Sequence, residues 1–354
     1  MSVITIVGAG MMGTAMCFPA ADNGHEVRIV GIHNRESIDS VKATGYHTTL
    51  KRVLPEGVKA YHIEQLEEAL EGADLVISGV SSFGIEWFEE KVIPLLPDEV
   101  PVLSITKGLE KRPNGHLVPF PTAITERAAE KGRKISFNAV GGPVISFELA
   151  DRQHTSIAFC GPDLEMLKKL KAMLETDYYH ISLTTDVDGL ECAVAMKNAY
   201  ALGVALAIGM NEAKYGEGSS EHYNPEAALF EQSVKEAAQL MRMMGANMDN
   251  VMFFAGDLFV TVFGGRTRRI GILLGKGIGY AEARQILAGV TLESVAIAGR
   301  TADALRRLEE QGLTDTRDFP LLMHIDDIIR NGAKLDIPWK KFEGTIRGGT
   351  GVCC

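Results

Sequence analysis

The chain has 354 residues, 46% hydrophobic and 23% charged, with 46 acidic against 36 basic residues and a formal net charge of −10. That length suits about two domains, the composition is that of an ordinary globular protein, and the acidic balance argues against a nucleic-acid partner. No run approaches the ~20 uninterrupted apolar residues of a membrane span, because Glu191, Lys197 and Asn198 break the best candidate. The first residues enter a strand at once, which leaves no room for a signal peptide. Five cysteines, at 17, 160, 192, 353 and 354, show no metal-ligand spacing, so no metal site is expected. They read as thiols of a reducing, cytoplasmic compartment, with Cys353 and Cys354 in a mobile Gly-rich tail.

Residues 3–7 (Val-Ile-Thr-Ile-Val) predict a strand, followed by Gly8-Ala9-Gly10-Met11-Met12-Gly13 and a helix ending near Asn23-Gly24. In that strand–turn–helix setting Gly8 allows a tight turn, Gly10 lets a pyrophosphate approach the backbone, and Gly13 lets helix and strand pack closely. A helix N-terminus adds unpaired N–H groups and a favourable dipole. The bland alternative is a Gly-rich turn that binds nothing. The second strand, at 27–30, runs into Gly31-Ile32-His33-Asn34-Arg35-Glu36. Asn34 and Arg35 suit a 2′-phosphate, whereas Glu36 could take a ribose hydroxyl, and the balance leans to NADP over NAD.

Further strands are expected at 73–80, 100–108, 135–142, 155–161 and 178–186, with helical stretches such as 63–72, 84–94 and 163–175 between them. That alternation predicts a mostly parallel sheet covered on both faces. Ser81 and Phe83 follow the strand at 73–80 and, with Met11 and Met12, join the candidate cofactor-binding residues. Beyond residue 188 the pattern is helical, at 190–213, 225–244, 281–288, 292–312 and 319–332. The expected fold class is α/β, a Rossmann-type doubly wound sheet followed by an all-helical C-terminal domain. The expected partition is a dinucleotide-binding domain over 1–188, a helical substrate and catalytic domain over 189–340, and a flexible tail over 341–354.

Lys197 and Asn198 sit within an otherwise apolar helical run, 189–213. An ammonium there costs several kcal/mol unless it is paired or its pKa shifts, which suggests a proton donor; a structural ion pair with Glu191, Asp186 or Asp257 is the alternative. Lys107, in "SITKGLE", falls at a strand's C-terminal end, where open α/β sheets bind ligands; any single lysine chosen blind is more often a solvated loop residue. Two lysines beside an oxidised nicotinamide would depress each other's pKa toward working pH. Carbonyl reduction needs such a group to protonate or hold the developing alkoxide. If 249–262 is helical, Asp257 and Thr261 share a face at i,i+4. Arg266 then lies in a Gly-Gly-flanked loop able to present a guanidinium to a phosphate, unless it belongs with Arg268 and Arg269 to a solvated basic loop.

Taken in order, the Gly-rich turn, "TKGLE", "GGPVISFELA", "DVDGLECAVAMKNAYALGVALAIG", "NPEAAL", "GDLFVTVFGGR" and "GILLGKG" resemble the soluble, two-domain NAD(P)-dependent sn-glycerol-3-phosphate dehydrogenase family, from residue 3 to about 332. The resemblance implies reversible reduction of dihydroxyacetone phosphate. Lys197 would be the proton donor, and Lys107 would orient the substrate and stabilise the alkoxide. Asp257 and Thr261 would line the substrate site, with Asn198 near the phosphate and Arg266 gripping it. Glu293 matches an acidic residue that approaches the cofactor. Where the family usually has Asn after the loop arginine this chain has Thr267, which could loosen the phosphate grip or admit a longer substrate; Glu293-Ser294 replaces Glu-Gly, and 214–223 is unusually polar. Competing readings are a dehydrogenase of another phosphorylated polyol or ketose, the 6-phosphogluconate or β-hydroxyacid dehydrogenase group, and a dinucleotide-binding sensor without turnover. A small phosphorylated substrate is the expected partner, with a possible homodimer through the helical domain.

Overall fold

The first strand, β1 (Val3–Val7), sends Ile4 and Ile6 to one face and Thr5 and Val7 to the other, all fully buried. Burial on both faces is what a central parallel strand requires, and each such aliphatic side chain contributes about 1.5–3 kcal/mol when removed from water. In a computed structural model, which describes residues 1–219 and 222–344, β1 lies inside an eight-stranded sheet. The other strands are β2 (Glu26–Gly31), β3 (Lys59–His62), β4 (Leu75–Ser78), β5 (Val102–Ser104), β6 (Phe137–Gly141), β7 (Thr155–Cys160) and β8 (Tyr179–Thr184), in the order β8-β7-β6-β5-β4-β1-β2-β3. Every neighbouring pair is parallel except β6 with β7. Ile4, Ile6, Leu75 and Ile77 pack into one hydrophobic cluster, and Val7, Val76 and Val102 into another on the opposite face. This is the doubly wound Rossmann-type sheet expected from the alternating pattern.

The chain leaves β1 toward β2 and β3, then returns to place β4 on β1's other side. The strand order thus reverses between β1 and β4, and open α/β sheets usually bind ligands outside the carboxyl ends of their strands at such a point. The edge strand β3 departs from the expected pattern: Lys59 is exposed and Ala60, Tyr61 and His62 are half-buried, and an edge strand needs no continuous apolar run.

A helix α1 (Met11–Ala15) follows the Gly-rich turn. The long helix α2 (Val187–Tyr215) is apolar and long enough to cross a membrane by length and composition, but 89% of its most apolar window is buried, as in the core helix of a globular domain. It is followed by α3 (Tyr223–Met243), α4 (Val251–Val262), α5 (Gly265–Gly275), a short helix Tyr280–Ile286, α6 (Glu293–Glu310) and α7 (Pro320–Asn331). The helical second half matches expectation, except that α5 replaces the loop expected around Arg266.

By compactness the chain forms two units, Met1–Asn198 with Ala237–Gly264, and Ala199–Glu236 with the chain from Gly265 onward. The boundary expected at 188 falls at the start of α2, and the sheet unit keeps the first turns of that helix together with 237–264. The cause is visible in its contacts. The Asp186 carboxylate accepts from the Gly189 and Asn247 backbone N–H groups and from the Asn250 amide, and Phe253 packs against the cluster holding Leu190 and Val194.

In the second unit α2 and α5 approach backbone to backbone: a Cβ on Gly275 would lie 2.3 Å from the Leu206 oxygen, and one on Gly271 2.7 Å from that of Leu202. The small residues spaced along α2 are there for this approach. The buried Glu236 carboxyl accepts from the Leu321 and Leu322 N–H groups that open α7, from the Gln232 amide and from the Tyr200 hydroxyl. Of the expected tail, Lys341 and Phe342 close a short 3-10 turn, Trp339–Phe342, while 345–354 with Cys353 and Cys354 lie outside the described residues.

Candidate active site

The Gly-rich turn has the geometry its glycines imply. Gly8 adopts φ +117°, and a Cβ on it would lie 2.6 Å from the Gly79 carbonyl carbon at the end of β4. A Cβ on Gly13 would lie 2.1 Å from the Gly8 oxygen, so α1 can press onto the turn only with glycine there. Gly10 is the opposite case: it is exposed, and nothing lies closer than 4.0 Å to where its Cβ would be. The turn is therefore closed behind and open in front, a cradle into which an anionic group can approach the first N–H groups of α1. Met11 and Phe83 are exposed, Ser81 lies exposed in the loop after β4, and Met12 is half-buried.

At the end of β2, Asn34 caps the helix Arg35–Thr44 by accepting from the Ser37 N–H at 3.0 Å, and its amide donates to Thr49 Oγ1 at 3.2 Å. Arg35 pairs with Glu64 at 2.5 Å, both side chains largely exposed. Such a pair contributes about 0–1 kcal/mol, so an incoming 2′-phosphate can compete for the guanidinium.

Lys107 and Lys197 come together on one carboxylate. Asp257, fully buried on α4, receives Lys107 Nζ on Oδ2 at 2.5 Å and Lys197 Nζ on Oδ1. Lys107 Nζ also donates to the Gly142 carbonyl oxygen at 3.2 Å. The two lysine side chains retain 19% and 14% exposure, while their shared carboxylate partner is fully sealed off. Of the acids considered for Lys197, then, Asp257 is its partner; Asp186 is committed to the backbone around 189 and 247. Burial lowers the Lys197 pKa most, Asp257 raises it, Lys107 lowers it, and the result is about 8. Glu191, on the same helix, is fully buried with no hydrogen-bond partner among the described residues, and burial raises its pKa to about 8 against the pull of Lys107.

The same unit holds Asn198, half-buried next to Lys197, and Thr261, whose hydroxyl donates to the Asp257 carbonyl one turn back at 2.6 Å. Arg266, Thr267 and Glu293 belong to the second unit. Arg266 is exposed and without an ion-pair partner among the described residues, and it stands in the first turn of α5. The loop expected there is a helix start, and its first residue, Gly265, takes φ +80°, a left-handed conformation that glycine adopts at no steric cost. Thr267, in that first turn, is buried, and Glu293 opens α6.

Two residues that contact the Gly-rich turn were not singled out by pattern. Gly79, against the backbone of Gly8, had a weak signal as a glycine directly after an apolar strand. His47, hydrogen-bonded to the turn, had none, because a lone histidine in a polar stretch is indistinguishable from a surface residue.

Comparison with known proteins places these features in a family. The profile described as "NAD-dependent glycerol-3-phosphate dehydrogenase N-terminus" matches residues 3–167, and its C-terminal counterpart matches 186–339. An NADP(+)-dependent glycerol-3-phosphate dehydrogenase of Archaeoglobus fulgidus is 33% identical over 94% of this chain and 97% of that protein. A glycerol-3-phosphate dehydrogenase [NAD(P)+] of Desulfotalea psychrophila is 28% identical over 93% of each. The crystal structure of the Coxiella burnetii glycerol-3-phosphate dehydrogenase shares the fold, with a TM-score of 0.77 over 96% of this chain and 97% of that one at 23% identity.

Proposed function

Because the chain belongs to the NAD-dependent glycerol-3-phosphate dehydrogenase family, we propose that it reduces dihydroxyacetone phosphate to sn-glycerol 3-phosphate, reversibly, using NADPH or NADH. The observation that carries the reading is the pair of lysines, from chain segments far apart in sequence, that share the buried Asp257 carboxylate. The cradle of Gly8, Gly10, Gly13 and Gly79 fits a dinucleotide pyrophosphate, since side chains are excluded behind it and space is open before it. A bound nicotinamide supplies the hydride. Lys197 donates the proton to the carbonyl oxygen and becomes a neutral amine; with a pKa of about 8 it holds both forms near neutral pH, as a reversible acid and base must. Lys107, beside the same carboxylate, stabilises the alkoxide as charge develops.

In this reading Arg266 binds the substrate phosphate, Asn198 and Thr267 contribute to the same end, Asp257 and Thr261 line the reacting end, and Glu293 serves the cofactor. The exposed Asn34 and Arg35 favour NADPH, and the A. fulgidus relative is named as NADP(+)-dependent. The three buried free thiols, Cys17, Cys160 and Cys192, suit a reducing cytoplasm. A homodimer through the helical residues belongs to the same proposal, and sedimentation of the intact chain tests it.

The deciding experiment is steady-state oxidation of NADPH and NADH with dihydroxyacetone phosphate beside a panel of longer ketose phosphates. Fast turnover with dihydroxyacetone phosphate is the expected result. Turnover restricted to a longer ketose phosphate overturns the substrate and points to the pocket around Thr267. No oxidation of either cofactor with any of them overturns the enzyme.

A further inference from the structure

His47 is fully buried, and both of its ring nitrogens have partners. Nδ1 lies 3.0 Å from the Leu50 backbone nitrogen, whose N–H can only donate, so Nδ1 accepts. The ring proton is therefore on Nε2, which lies 3.2 Å from the Ala9 carbonyl oxygen, an obligate acceptor, and 3.2 Å from the Thr14 hydroxyl. One neutral tautomer satisfies all three contacts. Burial lowers the imidazole pKa below its ordinary value, opposed by the bond to Ala9.

Ala9 is the second residue of the Gly-rich turn. A trans peptide carries its C=O and N–H on opposite sides, so a bond that holds the Ala9 oxygen toward His47 turns the Gly10 N–H the other way. The open space beside Gly10 is where a pyrophosphate can approach. The segment beginning at His47 also reaches the end of β2: the Thr48 N–H donates to Ser37 Oγ at 3.3 Å, and Thr49 Oγ1 accepts from Asn34 at 3.2 Å. One turn thus braces both the pyrophosphate cradle and the candidate residue for the cofactor's 2′ end.

Resting on the dinucleotide chemistry proposed above, we propose that His47 is a positioning residue for the cofactor: its neutral imidazole orients the Ala9–Gly10 peptide so that the Gly10 N–H faces the pyrophosphate. The charged groups on the surrounding elements are engaged elsewhere or exposed. Arg52, whose backbone pairs with that of His47 in a short antiparallel ribbon (Tyr46–His47 with Arg52–Val53), binds Asp151, Arg35 pairs with Glu64, Asp39 with His62, and Lys42 donates to Gln65, while Glu36 and Lys51 are exposed; the turn 8–10 and α1 carry no charged side chain. A proton added at Nδ1 meets the Leu50 N–H donor against donor, and the ring leaves its place. Cofactor binding therefore weakens in acid.

The test measures NADPH dissociation constants of the full chain by cofactor fluorescence across about pH 5–8.5, with kcat and both KM values alongside. His47→Asn keeps an acceptor near Nδ1 but cannot reach Ala9; His47→Gln reaches Ala9 with a non-titrating amide donor. We expect His47→Asn to bind NADPH about 5- to 20-fold more weakly, with kcat at saturating cofactor within about twofold. His47→Gln should recover most of the affinity and lack the wild-type weakening in acid. Wild-type affinity for NADPH in His47→Asn, or an unchanged acid branch in His47→Gln, overturns the assignment; the second result decides it even if His47→Asn fails to fold. Failure of the wild-type chain to bind either NADPH or NADH refutes the dehydrogenase reading itself.

Discussion

Replacing Asp257 by Asn removes the carboxylate that Lys107 and Lys197 share while keeping the volume of the side chain. In the wild-type structure that carboxylate opposes burial and the Lys107 charge in setting the Lys197 pKa at about 8. A contacting opposite charge favours the ionised form by roughly one to three pH units, so its loss lets Lys197 titrate near pH ~6. At pH ~7.5 the protonated fraction then falls from about three quarters to about 3%, a loss of roughly 25-fold in the reductive direction. The sign follows from the chemistry. Reduction needs the ammonium, so wild-type kcat/KM for the ketone falls as pH rises through about 8, and the variant's falls through ~6. Oxidation needs the neutral amine, so the variant reaches its full alcohol-oxidising rate at lower pH than the wild type does. The assay is kcat/KM in both directions over pH ~5–9. If the variant keeps its inflection near the wild-type position in both directions, Lys197 is not the group that titrates and the proton-donor assignment fails.

Three further outcomes are expected. Lys197→Met should lower kcat by about 10²- to 10⁴-fold with the cofactor dissociation constant held, read by steady-state kinetics and cofactor fluorescence; near-normal turnover would refute the lysine's role. Arg266→Ala should raise the KM for dihydroxyacetone phosphate by roughly 10- to 150-fold, the loss of about 1.5–3 kcal/mol of charge-assisted hydrogen bonding, with the KM for cofactor unchanged. Gly13→Ala drives a Cβ to 2.1 Å from the Gly8 oxygen, so α1 must shift; a stability loss of about 1–3 kcal/mol and weakened NADPH binding should appear together in thermal unfolding and fluorescence titration.

Local pattern determined much of this protein. The short apolar run Val3–Val7, the spacing of Gly8, Gly10 and Gly13, and the length of the apolar run in α2 are short-range properties, and backbone sterics with two-faced burial give each of them one natural structure. The i,i+4 relation of Asp257 and Thr261 is likewise a property of any helix. Other features carried no local signature. Strand β3 exists because β2 offers it an edge, and α5 starts where it does because Gly265 can take a left-handed conformation and the small residues of α2 admit a close neighbour. Only the tertiary structure chose among the acids open to Lys197. Glu191, six residues earlier on α2, lies about 240° around the helix axis from Lys197, and Asp186 is held by the backbone that opens the helix. Asp257 reaches both lysines because 237–264 packs back onto the sheet unit, where the loop after β5 carries Lys107. A buried ammonium announces in sequence that it needs a counter-charge; which carboxylate answers depends on chain segments 60 and 150 residues apart, and packing alone brings those together.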